Sequence, residues 1–232
     1  MSFAIFDSGI GGFSVLFEII KNNLKNEIFY YADNKNMPFG NKNKTELIKI
    51  CQDSLDFLNK KEFDFIIIAC NTACTIKDEL KSKIPLIFIS DYTIKAIKKL
   101  NNSSLILCTQ ATLNSGLYQK ACFDANINAN IIAPVEFASL VEEANKQKAY
   151  ELMPKYFVKK DYENILFACT HYPFLHKEFA KYFPQANLID PAKLLVKDLK
   201  EKINSAKELK IDFLSSANSI KEQFLRMQNE HN

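Results

Sequence analysis

Short apolar runs alternate with amphipathic stretches along the chain. The runs are FAIFD (3–7), EIFYY (27–31), DFIIIA (64–69), PLIFI (85–89), SLILCT (104–109), NIIA (130–133), NILFA (164–168) and KIDFL (210–214), all rich in β-branched or aromatic residues. Between them, segments 13–25, 44–60, 113–125 and 173–183 place apolar residues three and four positions apart, the spacing of one helix face. The alternation predicts an α/β protein with mainly parallel strands, buried on both faces.

Sheets of this kind bind ligands beyond the carboxyl ends of their strands. The run 64–69 leads straight into Cys70, Asn71 and Thr72, after which a helix-like sequence begins. A thiol is thereby placed at a strand mouth, next to the free N–H groups and the positive dipole end of the following helix. That setting favours a thiolate and binds carboxylates.

The device is repeated. DFIIIACNT (64–72) is echoed by ENILFACTH (163–171), 99 positions later. A strand with a polar mouth precedes each cysteine: Asp7-Ser8 lies 63 residues before Cys70, and Thr109-Gln110 lies 60 before Cys169. Two similar α/β units, each with one thiol, are implied.

Only five glycines are present, and three of them (Gly9, Gly11, Gly12) fall in FDSGIGG. A chain so poor in glycine keeps it where close backbone approach demands it, so this is read as a tight strand-to-helix turn. Its G-x-G-G spacing departs from the dinucleotide fingerprint, and the chain has no Walker loop.

Two thiols at facing strand ends can work on opposite sides of one carbon. One takes a proton as thiolate and the other delivers a proton as thiol, which inverts a stereocentre without redox change. A single cysteine at a strand end is commonly a small core residue. The matched pair, each followed by two polar residues, singles out Cys70 and Cys169, leaving Cys51, Cys74, Cys108 and Cys122 as core. Asp7 and His171 each sit beside a thiol in this scheme. Asp7 alone fits a helix N-cap; as a pair they read as groups that shift thiol protonation.

Composition narrows the classes further. With 232 residues, 47% of them hydrophobic, the chain can bury a core the size of one large domain or two small ones. A net charge of +3 without a basic block argues against nucleic acid. The N-terminus has no basic residue before Lys21, and no segment approaches the ~20 apolar residues of a membrane helix, so a cytoplasmic protein without membrane association is expected, its six cysteines reduced. Of 30 basic residues only Arg226 is an arginine. An arginine clamp is therefore not expected, and anions must be held by backbone N–H groups, hydroxyls, amides or lysine. Ligand spacing for a metal is missing, no C-x-x-C occurs, and no lysine lies in the strand-mouth motifs around Asp7, Cys70, Thr109 and Cys169 to hold pyridoxal phosphate, so neither metal nor cofactor is expected.

The motifs FDSGIGGFSVL, YYADNKNMPFG, ACNTA, CTQATLNSGLY, LVEE and ACTHYP, in this order, closely resemble those of glutamate racemases, cofactor-independent enzymes of the aspartate/glutamate racemase superfamily. The likeness runs from Phe3 to about Asp190. It implies interconversion of L- and D-glutamate, supplying D-glutamate for peptidoglycan. By the same resemblance Cys70 acts on D-glutamate with help from Asp7, and Cys169 acts on L-glutamate with help from His171, itself supported by Glu142. The glutamate carboxylates and amine would meet Asp7, Ser8, the Phe39-Gly40 turn, Asn71, Thr72, Thr109, Thr112, Thr170 and His171. Phe39 stands where the family usually has a tyrosine. The implied fold is two α/β domains with the site between them: 1–93 plus 191–232 carrying Cys70, and 94–190 carrying Cys169. Relatives dimerise in several ways, so the resemblance admits a homodimer. The alternatives are an aspartate or other amino-acid racemase of the superfamily, or a catalytically silent paralogue that binds an amino acid or a partner.

Overall fold

The computed structural model describes residues 1–158, 161–203, 206–217 and 220–231. Its first part runs β1 (Ser2–Asp7), α1 (Phe13–Lys21), β2 (Glu27–Ala32), α2 (Lys44–Leu58), β3 (Phe65–Ile68), β4 (Leu86–Phe88) and α3 (Ile89–Ile97). There follow β5 (Ser104–Leu107), α4 (Gln110–Ser115), α5 (Leu117–Asp124), β6 (Asn130–Ile132), α6 (Phe137–Glu142), α7 (Lys146–Tyr156), β7 (Asn164–Phe167), α8 (His176–Tyr182) and β8 (Asn187–Ile189). The chain ends with α9 (Pro191–Lys202), β9 (Lys210–Ser215) and α10 (Ile220–His231).

The strands form two sheets, one in the order β4-β3-β1-β2-β9 and the other β6-β5-β7-β8. Every pairing is parallel. Read from the opposite edge, the second sheet is β8-β7-β5-β6, the order of β4-β3-β1-β2, so the echo at 64–72 and 163–171 is a true equivalence of β3 with β7 and of β1 with β5. β9 is the extra strand, returning late in the chain to lie beside β2.

Register explains why the polar mouths converge. Phe6 pairs with Ile68, so Asp7-Ser8 and Ala69-Cys70 leave the first sheet side by side. Leu107 pairs with Phe167, and Cys108-Thr109 leaves beside Ala168-Cys169 in the second. The middles of the inner strands are apolar because both faces are covered: Ile66, Ile67 and Ile68 are fully buried, as are Leu105, Ile106 and Leu107. Each such side chain stabilises the fold by roughly 1.5–3 kcal/mol, which fixes the strand ends against the helices.

Several elements differ from the sequence expectation. The predicted helix 113–125 is two helices, α4 and α5, because Gly116 takes a left-handed φ of 74° between them. After Cys70 the chain makes a 3-10 segment, Ala73–Glu79, instead of an α-helix, with non-helical backbone at Ile76. After Cys169 a 3-10 turn, Tyr172–Leu175, precedes α8. The three-residue strand β8 was not among the predicted runs. At the C-terminus α10 sets Phe224 against Phe13, Phe17 and Phe213, with ring centroids 5.3, 5.3 and 4.8 Å away, tying it to α1 and the first sheet. Among the described residues no helix is long and apolar enough to cross a membrane.

Candidate active site

The mouths of the two sheets face one cavity of about 220 Å³. That is below the roughly 300–1,000 Å³ of pockets for drug-sized ligands and suits a molecule as small as an amino acid. Both Cys70 and Cys169 line it. So do Ser8, Phe39, Gly40, Asn71 and Thr72 from the first unit, and Thr109, Glu142, Thr170 and His171 from the second.

Two expected residues stand behind the wall. Asp7 is fully buried, its Oδ1 accepting the Gly9 N–H at 2.9 Å and its Oδ2 the Thr170 hydroxyl at 3.2 Å. It does not cap α1, whose N-cap is Gly12. Thr112 is buried in a trio of hydroxyls: Thr72 and Thr109 oxygens are 2.8 Å apart, Thr109 and Thr112 2.9 Å, and Thr112 donates to Thr72 at 3.5 Å. The trio joins the units at the cavity and clusters O–H donors where no arginine is available.

Around Cys70 the structure corrects the thiolate expected from the sequence and adds a hydrogen-bond partner. Its Sγ hydrogen bonds to Ser8 Oγ at 3.7 Å, while the Asp7 carboxylate turns to Thr170. The thiol is also pushed well above its ordinary pKa, first by burial and then by the negative charge of Asp7, so this strand end favours thiol over thiolate. With a 3-10 segment in place of an α-helix, the dipole invoked from sequence is short. Asn71 is buried as well, its side-chain carbonyl accepting from Thr93 Oγ1 at 3.1 Å and from the Tyr118 hydroxyl.

Cys169 has other neighbours. His171 Nδ1 lies 3.9 Å from its Sγ, and His171 Nε2 lies 2.7 Å from Glu142 Oε1. Burial works to lower the His171 pKa, but its bonds to Cys169 and Glu142 outweigh that and hold it well above the ordinary value. Asp7 is raised by burial, with His171 opposing.

The glycine turn owes its composition to this site. A Cβ on Gly9 would overlap Glu142 Oε1, and one on Gly11 would overlap Thr170 Oγ1 and come within 2.6 Å of His171 Nδ1. Gly40 likewise lets the 39–41 turn approach, since a Cβ there would stand 2.9 Å from Thr109 Cβ. Groups of the second unit rest directly on backbone of the first.

Residues missed from sequence fill the remaining wall: Met37, Pro38 and Asn41 beside Phe39, Gln110 beside Thr109, and Val135, Ala138, Ser139 and Glu143 near Glu142, with Tyr172 after His171. Once Glu142 is placed on a helix, Ser139 and Ala138 three and four positions back share its face, a signal legible in the sequence. Among the described residues no group of three or more His, Cys, Asp or Glu side chains is arranged to hold a metal ion.

The family model for Asp/Glu/hydantoin racemases matches residues 20–199. The glutamate racemase of Campylobacter jejuni is 37% identical over 218 residues, covering 88% of this chain and 86% of that protein. The crystal structure of glutamate racemase from the same species superposes with a TM-score of 0.89 at 33% identity, over 99% of this chain and 98% of that one. Glutamate racemase from Francisella tularensis, solved in complex with D-glutamate, superposes with a TM-score of 0.83 at 27% identity, over 97% and 93% of the two chains. The two-sheet architecture, the paired thiols and these matches agree, and the chain belongs to the Asp/Glu/hydantoin racemase family.

Proposed function

We propose that the protein interconverts L- and D-glutamate, with Cys70 and Cys169 as the acid and base on opposite faces of the α-carbon. The observation that carries this reading is the arrival of two thiols, from equivalent strands of two sheets, in one cavity of about 220 Å³. A relative of the same fold binds D-glutamate.

From L-glutamate, the Cys169 thiolate takes the α-proton and becomes a thiol, leaving a carbanion. The Cys70 thiol then gives its proton to the opposite face and becomes a thiolate. The reverse reaction exchanges the roles. Burial keeps Cys70 protonated and ready to donate, while a protonated His171, paired with Glu142, faces the sulfur that must carry charge. Asp7 acts on both ends, through its charge at Cys70 and through Thr170. Ser8, the Phe39-Gly40 turn, Asn71, Thr72, Thr109, Thr170 and His171 hold the carboxylates and amine, with Thr112 behind them fixing the Thr72 and Thr109 hydroxyls, and their N–H and O–H groups offset charge that builds on the α-carboxylate as the proton leaves.

Glutamate and aspartate differ by one methylene, worth only about 1 kcal/mol in burial, so selectivity must come from the hydrogen bonds of the distal carboxylate. The backbone N–H groups of Thr170 and His171, after the second cysteine, provide donors there, the Thr170 hydroxyl being held by Asp7. We place residues 1–93 with 191–232 in one unit and 94–190 in the other, and read the protein as cytoplasmic, able to form a homodimer and supplying D-glutamate for peptidoglycan. The test is the circular dichroism of L-glutamate incubated with the protein alone. Decay of the signal to zero, faster than with L-aspartate, supports the reading; no decay, or faster turnover of aspartate, contradicts it.

A further inference from the structure

Tyr30 is fully buried on β2 and does not line the cavity. Its hydroxyl donates to the Gly9 carbonyl at 2.8 Å. The next backbone N–H, that of Ile10, donates to Glu142 Oε1 at 3.0 Å. The Gly9 C=O and the Ile10 N–H belong to one planar peptide unit and point in opposite directions when it is trans. Both ends of a single amide dipole are thus used, one by Tyr30 of the first unit and the other by Glu142 of the second.

We propose that the Gly9–Ile10 peptide, anchored by Tyr30, is a positioning element for the reaction, orienting Glu142 and through it His171 and Cys169. The inference rests on the racemase reading above, in which His171 assists Cys169. The chain of contacts is continuous: Tyr30 hydroxyl, peptide 9–10, Glu142 Oε1, His171 Nε2, and from His171 Nδ1 to Cys169 Sγ. A donor at the carbonyl makes the N–H of the same amide a better donor, so Tyr30 both fixes and strengthens the bond to Glu142. Glu142 Oε1 accepts from the peptide and from His171 at once, which leaves the carboxylate one orientation.

Two features show that the turn is shaped for this arrangement. Gly12 leaves room for the phenol, since a Cβ there would stand 2.6 Å from Tyr30 Oη, and Gly9 leaves room for the carboxylate. Burial, together with the negative charges of Asp7 and Glu142, keeps the phenol pKa well above its ordinary value, so Tyr30 is an O–H donor throughout the working range.

The experiment is a double-mutant cycle of Tyr30→Phe with Glu142→Gln, read by kcat, KM and the pKa of His171. Only three histidines are present, so the His171 ring can be followed by NMR without turnover. The titratable groups facing it are Cys169, Glu142 and Asp7. Tyr30→Phe is expected to lower kcat about 10-fold with KM little changed, a fraction of the ~10²-fold that a misplaced group can cost. It should lower the His171 pKa, and it should cost less than about 2-fold when added to Glu142→Gln. A His171 pKa that stays or rises, or effects that multiply in the double variant, overturns the proposal and makes Tyr30 a packing residue. If Tyr30→Phe does not fold, Gly9→Ala decides the matter. It wedges Glu142 off the peptide with Tyr30 intact and must lower the His171 pKa; an unchanged value again overturns the proposal. Failure of the unaltered protein to racemise glutamate sinks the racemase reading separately, because the titration of His171 does not depend on turnover.

Discussion

Cys70 and Cys169 stand at equivalent strand ends of two sheets with the same strand order, yet in different company. The first meets a serine hydroxyl, and its pKa is raised by burial and then by a buried carboxylate nearby. The second meets an imidazole backed by a carboxylate, with the imidazole raised by the same contacts. The backbone was repeated and the protonation chemistry was not. Asp7 and His171 lie on opposite sides of the comparison but are joined through Thr170 and through their mutual attraction, so neither half of the site titrates alone.

The largest effect should come from removing either sulfur. Cys70→Ala and Cys169→Ala should each lower racemisation by about 10³-fold or more, as expected when one partner of an acid/base pair is lost. A near-normal rate for either variant breaks the pairing.

Next come the unlike neighbours. His171→Asn should lower kcat by about 10²-fold and make proton removal by Cys169 the slower step. Because kcat/KM in the two directions is tied to an equilibrium constant of one, the asymmetry shows in isotope effects. The effect with α-deuterated L-glutamate should grow relative to that with the D-enantiomer, and equal growth for both would erase the distinction between the two ends.

A smaller loss is expected from Gly11→Ala, whose Cβ would press on Thr170 and His171 and not on the Cys70 side. About 10-fold in kcat, with the same isotope asymmetry as His171→Asn, would sharpen the comparison.

The smallest effect lies away from both thiols, at the start of α9. Asp190 caps that helix, its Oδ1 accepting the Ala192 N–H at 2.9 Å, and burial raises its pKa to about 6. A folded-state pKa above the unfolded value of 3.8 means that the stability it contributes is complete below 3.8 and is lost as pH rises through about 6. Asp190→Asn keeps a capping oxygen and removes a half-buried charge; the full shift corresponds to about 3 kcal/mol, and with the side chain's access to solvent the expected gain in stability above pH 6 is about 1 kcal/mol, with none at acid pH. Denaturant unfolding at several pH values checks this.

The sequence revealed every strand but one. Runs such as Phe65–Ile68 are apolar on both faces and identify themselves, and even the edge strands β4, β6 and β9 lie in recognisable runs, whereas β8 has only Leu188 and Ile189 between Asn187 and Asp190, too little pattern to stand out. Gly116 could be seen as a special position, but whether it bends or ends a helix depends on φ, which one letter does not give. The repeat at 64–72 and 163–171 was legible because strand order preserved it. The company of each thiol was harder to read. Asp7 adjoins Ser8 in sequence, and only the turn through Gly9 sends its carboxylate to Thr170 and leaves Ser8 to face Cys70. Ala138 and Ser139 follow from the helix spacing once Glu142 is placed, but Val135 and Glu143 depend on how α6 is laid across the cavity, a matter of packing between the units.

The central claim, one thiol for each enantiomer, is tested most directly by α-proton exchange in heavy water. Cys70→Ala retains Cys169 and should exchange the α-proton of L-glutamate without forming D-glutamate. Cys169→Ala should exchange that of D-glutamate without forming the L-enantiomer. Exchange confined to opposite enantiomers in the two variants is the predicted result; exchange of the same enantiomer by both, or racemisation surviving in either, would contradict it.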